Sequence, residues 1–194
     1  MRHVLKLTFG LLVLWALAVL SVPADAQTTA NGPYYATPSW DQKLQCDTQA
    51  TCRRFIVLSN WNSEAALDRE TGLVWLKSPK TDIGAGGNDP LPWSTARFNC
   101  AGRSVGGRKG WRLPSINELA SLIDPSVPPP GPTLPAGHPF TNVQSSSYWS
   151  ASTDADDSRL AWFVDFFNGG PSANFKGNPN FLWCVRGGGV LDNY

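Results

Sequence analysis

Gly102-Arg103-Ser104-Val105-Gly106 matches the G-x-S-x-G pattern of a hydrolase nucleophile, and Asp124 and His138 follow in the order acid, then base. That chemistry needs the serine on a sharp turn from a strand into a helix. The sequence here predicts a helix before Ser104 and a basic loop after it. The interval to His138 is also too short for the sheet that such a triad stands on. His138 precedes Pro139 in a proline-rich run and reads as a solvated loop residue. The stretch from Gly102 to Lys109 approaches a phosphate-cradling loop, but its Lys and Ser are misplaced and no strand leads into it. Neither motif is expected to carry catalysis.

Four cysteines, Cys46, Cys52, Cys100 and Cys184, all follow an apparent export signal, and an oxidising compartment favours two disulfides. Sequence alone allows three pairings. The preferred set is a small local loop, Cys46–Cys52, with a long-range staple, Cys100–Cys184. Zinc lacks ligands, since the spacing is not C-x2-C and His138 is the one histidine beyond the signal. Asp154, Asp156 and Asp157 could offer oxygens to calcium, but three acids fall short of the six to eight that it takes. No cofactor or metal is expected.

Two groups suit ligand binding. Arg97, Arg103, Arg108, Lys109 and Arg112 fall in a window without acids, between Pro90 and Asn117. Guanidinium forks there could grip carboxylates or sulfates. The plain alternative is a solvated surface with a structural Arg112. The Gly-, Asn- and Pro-rich run 168–180 reads as a loop between strands, with Asn168, Asn174, Lys176, Asn178 and Asn180 as candidates for ligand contact. Turn formation is the competing role of every asparagine in it. The site expected from these groups is Arg108, Lys109, Asn168, Asn174, Lys176 and Asn178.

The elements that must position these residues have a strong local grammar around 110–123. Trp111-Arg112-Leu113 reads as a short buried strand. Ser115 is a helix N-cap, and Glu118 three residues on completes a capping box. Ile116, Leu119, Leu122 and Ile123 recur at helical spacing, and Asp124-Pro125 ends the helix. Upstream, 55–58 reads as a strand and 65–76 as a hairpin turning at Glu70-Thr71-Gly72. Residues 78–92 form a loop. Ser94 caps a first helix that runs to about Ala101 and stops at Gly102. Residues 125–139 hold seven prolines and read as an irregular, exposed loop. Strands follow at 148–152, 161–166 and 181–186. Helices in the middle and strands at both ends make an α+β domain. Aromatic wealth suggests sugar stacking, but Trp75, Trp111, Trp149, Trp162 and Trp183 are better read as core, because large rings supply buried area.

Residues 1–26 have a basic start at Arg2 and Lys6, an apolar run and an Ala24-Asp25-Ala26 cleavage site, so they read as a signal peptide. Removing 26 of the 194 residues leaves 168, enough for one domain with a real core. Losing Arg2, Lys6 and Asp25 takes the formal charge from +1 to 0. A neutral chain gives no reason to expect nucleic acid or membrane partners. The expected layout is a signal at 1–26, an arm with a local disulfide at 27–54, and a domain at 55–194.

Asp68-Arg69-Glu70-Thr71-Gly72-Leu73-Val74-Trp75 resembles the opening of the Lcl C-terminal domain, the end module of bacterial collagen-like adhesins. The rest follows in that order: a helix carrying Cys100, Gly110-Trp111-Arg112-Leu113-Pro114 with Glu118-Leu119, and Tyr148-Trp149-Ser150-Ala151-Ser152. Ala161-Trp162-Phe163-Val164-Asp165-Phe166 and Cys184-Val185-Arg186-Gly187 complete it. The Arg-Leu-Pro element also resembles the formylglycine-generating and sulfatase-modifying group. Both resemblances imply a C-type-lectin-like fold, with N- and C-terminal strands paired. They also imply a disulfide from the first helix to the last strand, which fits Cys100 and Cys184. The Gly-X-Y stalk of the adhesins is absent from this sequence, so a stalk-driven trimer is not implied.

The expected function is an exported module, periplasmic or secreted, that binds a polysaccharide, anionic or neutral, or an extracellular protein and does not catalyse. The competing classes are an enzyme of the sulfatase-modifying type and an envelope protein acting through self-association. The first would need reactive thiols, which two disulfides would remove.

Overall fold

A computed structural model of the chain describes residues 53–79 and 89–188. The signal segment, nearly all of the 27–54 arm with its Cys46–Cys52 bridge, and most of the 78–92 loop lie outside the described residues.

The described residues open with strand β1 (Phe55–Val57) and a 3-10 turn (Ser59–Trp61), then the hairpin of β2 (Ala65–Asp68) and β3 (Val74–Leu76). The hairpin turn is organised by Asp68. Its carboxylate accepts from the Glu70 N–H at 3.1 Å and the Thr71 hydroxyl at 2.9 Å. Burying that charge is tolerable because Arg54 grips it with two donors, at 3.0 and 2.9 Å.

Helix α1 spans Trp93–Ala101. Ser94 is not its cap, contrary to expectation. The helix begins one residue before Ser94 with Pro92 at the cap position, and the Trp93 N–H is satisfied from outside by the Lys176 carbonyl at 3.0 Å. Strand β4 (Trp111–Arg112) leads into α2 (Ile116–Ala120), where the capping box is present as expected. Ser115 Oγ accepts from the Glu118 N–H at 3.2 Å, and the Ser115 N–H donates to Glu118 Oε2 at 2.8 Å. Such a cap is worth about 1 kcal/mol. The α-helix is shorter than its apolar spacing suggested. Leu122 and Ile123 donate three residues back, to Leu119 and Ala120, so the last turn tightens before Asp124 donates to Thr133 instead.

Strands β5 (Ser147–Thr153), β6 (Leu160–Asp165), β7 (Pro171–Phe175) and β8 (Val185–Arg186) follow. Two corrections belong here. The run 168–180 is not a plain loop, because it contains β7. Pro-Ser-Ala-Asn-Phe has no β-branched residue, and the ladder of β6 is what makes it extended. Conversely, 181–186 is strand only at Val185–Arg186, with Phe181 making an isolated bridge to Tyr148.

The domain is α+β, with two antiparallel sheets. One runs β1-β2-β3-β8-β4 and the other β5-β6-β7. The N-terminal hairpin pairs with the last strand through β3 and β8, with Val74 opposite Arg186 and Trp75 opposite Val185, while β1 stays at the edge beside β2. The Cys100–Cys184 disulfide ties α1 to the residue before β8, with Cα atoms 5.4 Å apart.

Trp75, Trp111, Trp149 and Trp183 are buried as expected, but Trp162 is only half-buried. Trp183 is the hub of the core, with Trp75, Phe140, Tyr148 and Phe166 rings between 4.8 and 5.9 Å from it. The proline-rich segment is irregular but not wholly exposed: Thr133 and Leu134 dip into the core, and Thr133 bonds the Phe166 carbonyl.

Candidate ligand-binding surface

The hydrolase-like residues do not meet. Ser104 is exposed in the turn after α1. Asp124 accepts from the Ser126 hydroxyl at 2.7 Å and its N–H at 2.9 Å, which holds its carboxyl below the usual range. His138 is not fully solvated. Its ring stacks on Phe140 at 5.8 Å, its Nδ1 accepts from the Phe140 N–H at 3.1 Å, and burial lowers its pKa. No hydrogen bond joins the three among the described residues. Both described cysteines are used in the disulfide.

The aspartates of the β5–β6 turn do not form a metal cradle. Asp154 Oδ1 accepts the N–H groups of Asp156 and Asp157 and so closes the turn. Asp157 is held by Arg159, whose side-chain hydrogen bonds lower its pKa to about 2. Among the described residues no group of three His, Cys, Asp or Glu side chains could hold a metal ion.

The basic window divides into structural and presented cations. Arg103 is buried and donates to Asn99 Oδ1 at 3.0 Å. Arg112 places both terminal nitrogens on Glu118 at 2.7 Å and reaches the Gly187 carbonyl. Arg97 lies over the Trp93 ring at 4.6 Å. Arg108 and Lys109 are exposed.

Arg108 is aimed by a tight turn. Val105 and Arg108 exchange backbone bonds at 3.1 and 3.0 Å across Gly106 and Gly107, whose φ angles are +56° and +73°. Two left-handed central residues define the two-residue hairpin turn that glycine favours. Gly106 is needed for a second reason: a Cβ there would lie 2.7 Å from Trp61 Cβ. The turn therefore packs directly on Trp61 and lays the Arg108 guanidinium over the indole, 4.7 Å from its centroid. Arg186 of β8 comes over the same ring at 5.6 Å, and its Nε donates to the Lys109 carbonyl at 2.9 Å. Trp111 braces the arrangement, edge-on to Trp61 at 6.3 Å and donating from Nε1 to the Arg108 carbonyl.

Arg108 and Arg186 thus gather over Trp61 with Lys109 beside Arg108 in the turn, and none of the three has a carboxylate partner among the described residues. Arg186 and Trp61 were not singled out from the sequence as site residues. The Gly106-Gly107 pair was the available signal for the turn, but nothing local links 61 or 186 to it.

The other expected site residues lie elsewhere. Lys176 stands over Trp93 at 4.2 Å and donates to Thr153 Oγ1 and the Ser158 carbonyl, both at 2.9 Å. Asn174 and Asn178 bond each other at 2.7 Å at the same end of β7. Asn168 turns the chain at the opposite end, where its Oδ1 accepts the Gly170 N–H. Asn180 is buried. Arg108 and Lys109 are adjacent and exposed in one turn, Lys176 is tied to the β5–β6 hairpin, and Asn168, Asn174 and Asn178 make local bonds at the two ends of β7.

A small α+β domain stapled by a disulfide, with two arginines laid over the buried Trp61 ring, is the class that the described residues define. Residues 64–186 match the Lcl C-terminal domain family, and the chain belongs to that family. No curated protein matches the chain.

Proposed function

We propose that this chain is an exported binding module that takes an anionic polysaccharide on the Trp61 platform and carries out no catalysis. The observation that carries the reading is the convergence of Arg108 and Arg186 over one indole, from a turn and a strand far apart in sequence, with the exposed Lys109 next to Arg108 in that turn. A guanidinium stacked on an aromatic face is held flat, with its hydrogen-bonding edge turned outward. Arg108 Nη1 is taken by the Gly106 carbonyl and Arg186 Nε by Lys109, so each keeps the remaining donors for a carboxylate or sulfate. A formal net charge of only +1 over the full chain makes this a local attraction rather than a global one. A buried disulfide, and the lack of any helix long and apolar enough to cross a membrane among the described residues, are compatible with export.

Heparin-column retention across a salt gradient tests the reading. Wild type should elute at clearly higher salt than a variant with Arg108→Ala, Lys109→Ala and Arg186→Ala, because exposed charges act through screened Coulomb forces. Folding stability of Arg108→Ala with Lys109→Ala should fall by no more than about 1 kcal/mol, the worth of an exposed cation–π contact. EDTA should change nothing, since the platform needs no metal. Early elution of wild type together with the variant would discard the anionic ligand and leave a neutral sugar or a protein partner.

A further inference from the structure

Among the described residues, strand β7 is the outer strand of the three-stranded sheet, paired on one side with β6 alone. The backbone bonds that flank this pairing are Asp165 N–H to Gly170 O and Lys176 N–H to Arg159 O, each 2.9 Å. In an antiparallel ladder bonded pairs alternate with non-bonded ones. Ser172 and Asn174 therefore face β6, opposite Phe163 and Ala161, while Pro171, Ala173 and Phe175 turn their backbone groups outward. An edge of this kind is a template on which a further strand can add.

The outward groups are mostly occupied. Pro171 has no N–H to offer. The Phe175 N–H donates to Asn174 Oδ1 at 2.8 Å, and the Phe175 carbonyl accepts the Asn178 N–H at 2.9 Å. Asn178 Nδ2 donates to the same Asn174 Oδ1 at 2.7 Å and fixes the carboxamide in place. Within β7, Ala173 alone keeps both an outward N–H and an outward carbonyl without a partner among the described residues.

We propose that Asn174, clamped by Asn178, is an edge guard that closes β7 to strand addition by a second copy of this chain. Its bond to the Phe175 N–H removes one of the two outward donors that an added strand would use, and Pro171 has already removed a third. A second copy is the occupant to expect, because an unguarded edge of one molecule meets the identical edge of another in the antiparallel sense that this sheet already uses. Asn174 and Asn178 are thereby assigned to control of self-association rather than to ligand contact, so the inference stands independently of what the Trp61 platform binds.

Asn174→Ala and Asn174→Val remove the acceptor, the second while keeping a side chain well suited to a strand. Sedimentation velocity over a concentration series should show larger species for both variants at concentrations where wild type is unchanged. Asn174→Asp keeps an oxygen in place and should behave as wild type. Amide hydrogen exchange supplies the second readout: the Phe175 N–H should exchange about tenfold or more slowly than that of Ala173 in wild type, and lose this protection in the alanine and valine variants. Phe175 exchanging as fast as Ala173 in wild type would overturn the proposal, and so would unprotected variants that keep the wild-type mass at every concentration.

Discussion

Two tryptophan rings in this domain each carry a pair of cations, Trp61 with Arg108 and Arg186, and Trp93 with Arg97 and Lys176. At Trp93 the arrangement fastens. The indole Nε1 donates to the Ser150 carbonyl at 2.8 Å, the backbone N–H takes the Lys176 carbonyl, and Lys176 Nζ bridges Thr153 and Ser158. Those bonds lash the turn after β7 to the start of α1 and to the β5–β6 hairpin. At Trp61 the bonds run from the cations to the backbone of the 106–109 turn beneath them, and donors are left facing solvent. The same ring-and-cation unit therefore closes a tertiary joint in one place and presents charge in the other. What separates the two is how far acceptors use up the cation, not the ring itself: Lys176 Nζ spends two donors on Thr153 and Ser158, while Arg108 and Arg186 each spend one of their side-chain donors.

The largest test removes the frame that both rings hang on. Cys100 sits on the helix that carries Trp93 and Arg97, and Cys184 precedes the strand that carries Arg186. The bond closes a loop with a sequence separation of 84, for which chain entropy gives about 4 kcal/mol. Replacing both cysteines with alanine should lower the urea-unfolding free energy by that order. A loss below about 1 kcal/mol would mean that core packing around Trp183 alone frames the two rings, since that is far under the usual range for a native bridge.

A smaller effect separates fastening from presenting. Lys176→Ala removes two hydrogen bonds and a cation–π contact, and should cost about 1–2 kcal/mol while leaving heparin retention unchanged. Were retention to drop at unchanged stability, Lys176 would belong with the ligand-contacting cations and the contrast between the rings would fail.

What the sequence disclosed follows from range. The capping box at Ser115 and Glu118, the 68–72 turn and the aromatic-rich strands β5 and β6 are set within a few residues, and each is readable as text. Strand β7 was not readable, because its conformation is imposed by β6 and its composition is that of a turn. The start of α1 was misjudged for a related reason: Ser94 looks like a cap, but a carbonyl 83 positions away, that of Lys176, satisfies the Trp93 N–H first. The candidate site shows the same limit. Arg108 and Lys109 stand out as a local charge run. Arg186 joins them only because β8 lies between β3 and β4, a pairing that no local pattern encodes.

The smallest expected effect concerns a third ring pair, which carries no permanent charge. His138 stacks on Phe140, whose ring in turn packs edge-on against Phe55 at 4.9 Å and Trp183 at 4.8 Å. Burial lowers the His138 pKa from its ordinary 6.5, so the folded state prefers the neutral imidazole. Protonation would also turn Nδ1 from acceptor to donor and break its bond with the Phe140 N–H. A folded-state pKa below the unfolded value means that the stabilising contribution is complete above about pH 6.5 and is lost as pH falls through the lowered value. The melting temperature of wild type should therefore fall more steeply than that of His138→Asn as pH drops from about 7 to about 5, the interval in which histidine titrates. The difference between the two curves isolates this residue from the carboxylates that titrate lower. Parallel curves would show that the Phe140 ring is indifferent to charge. The distinction between rings that hold cations and a ring that excludes one would then be a matter of position alone.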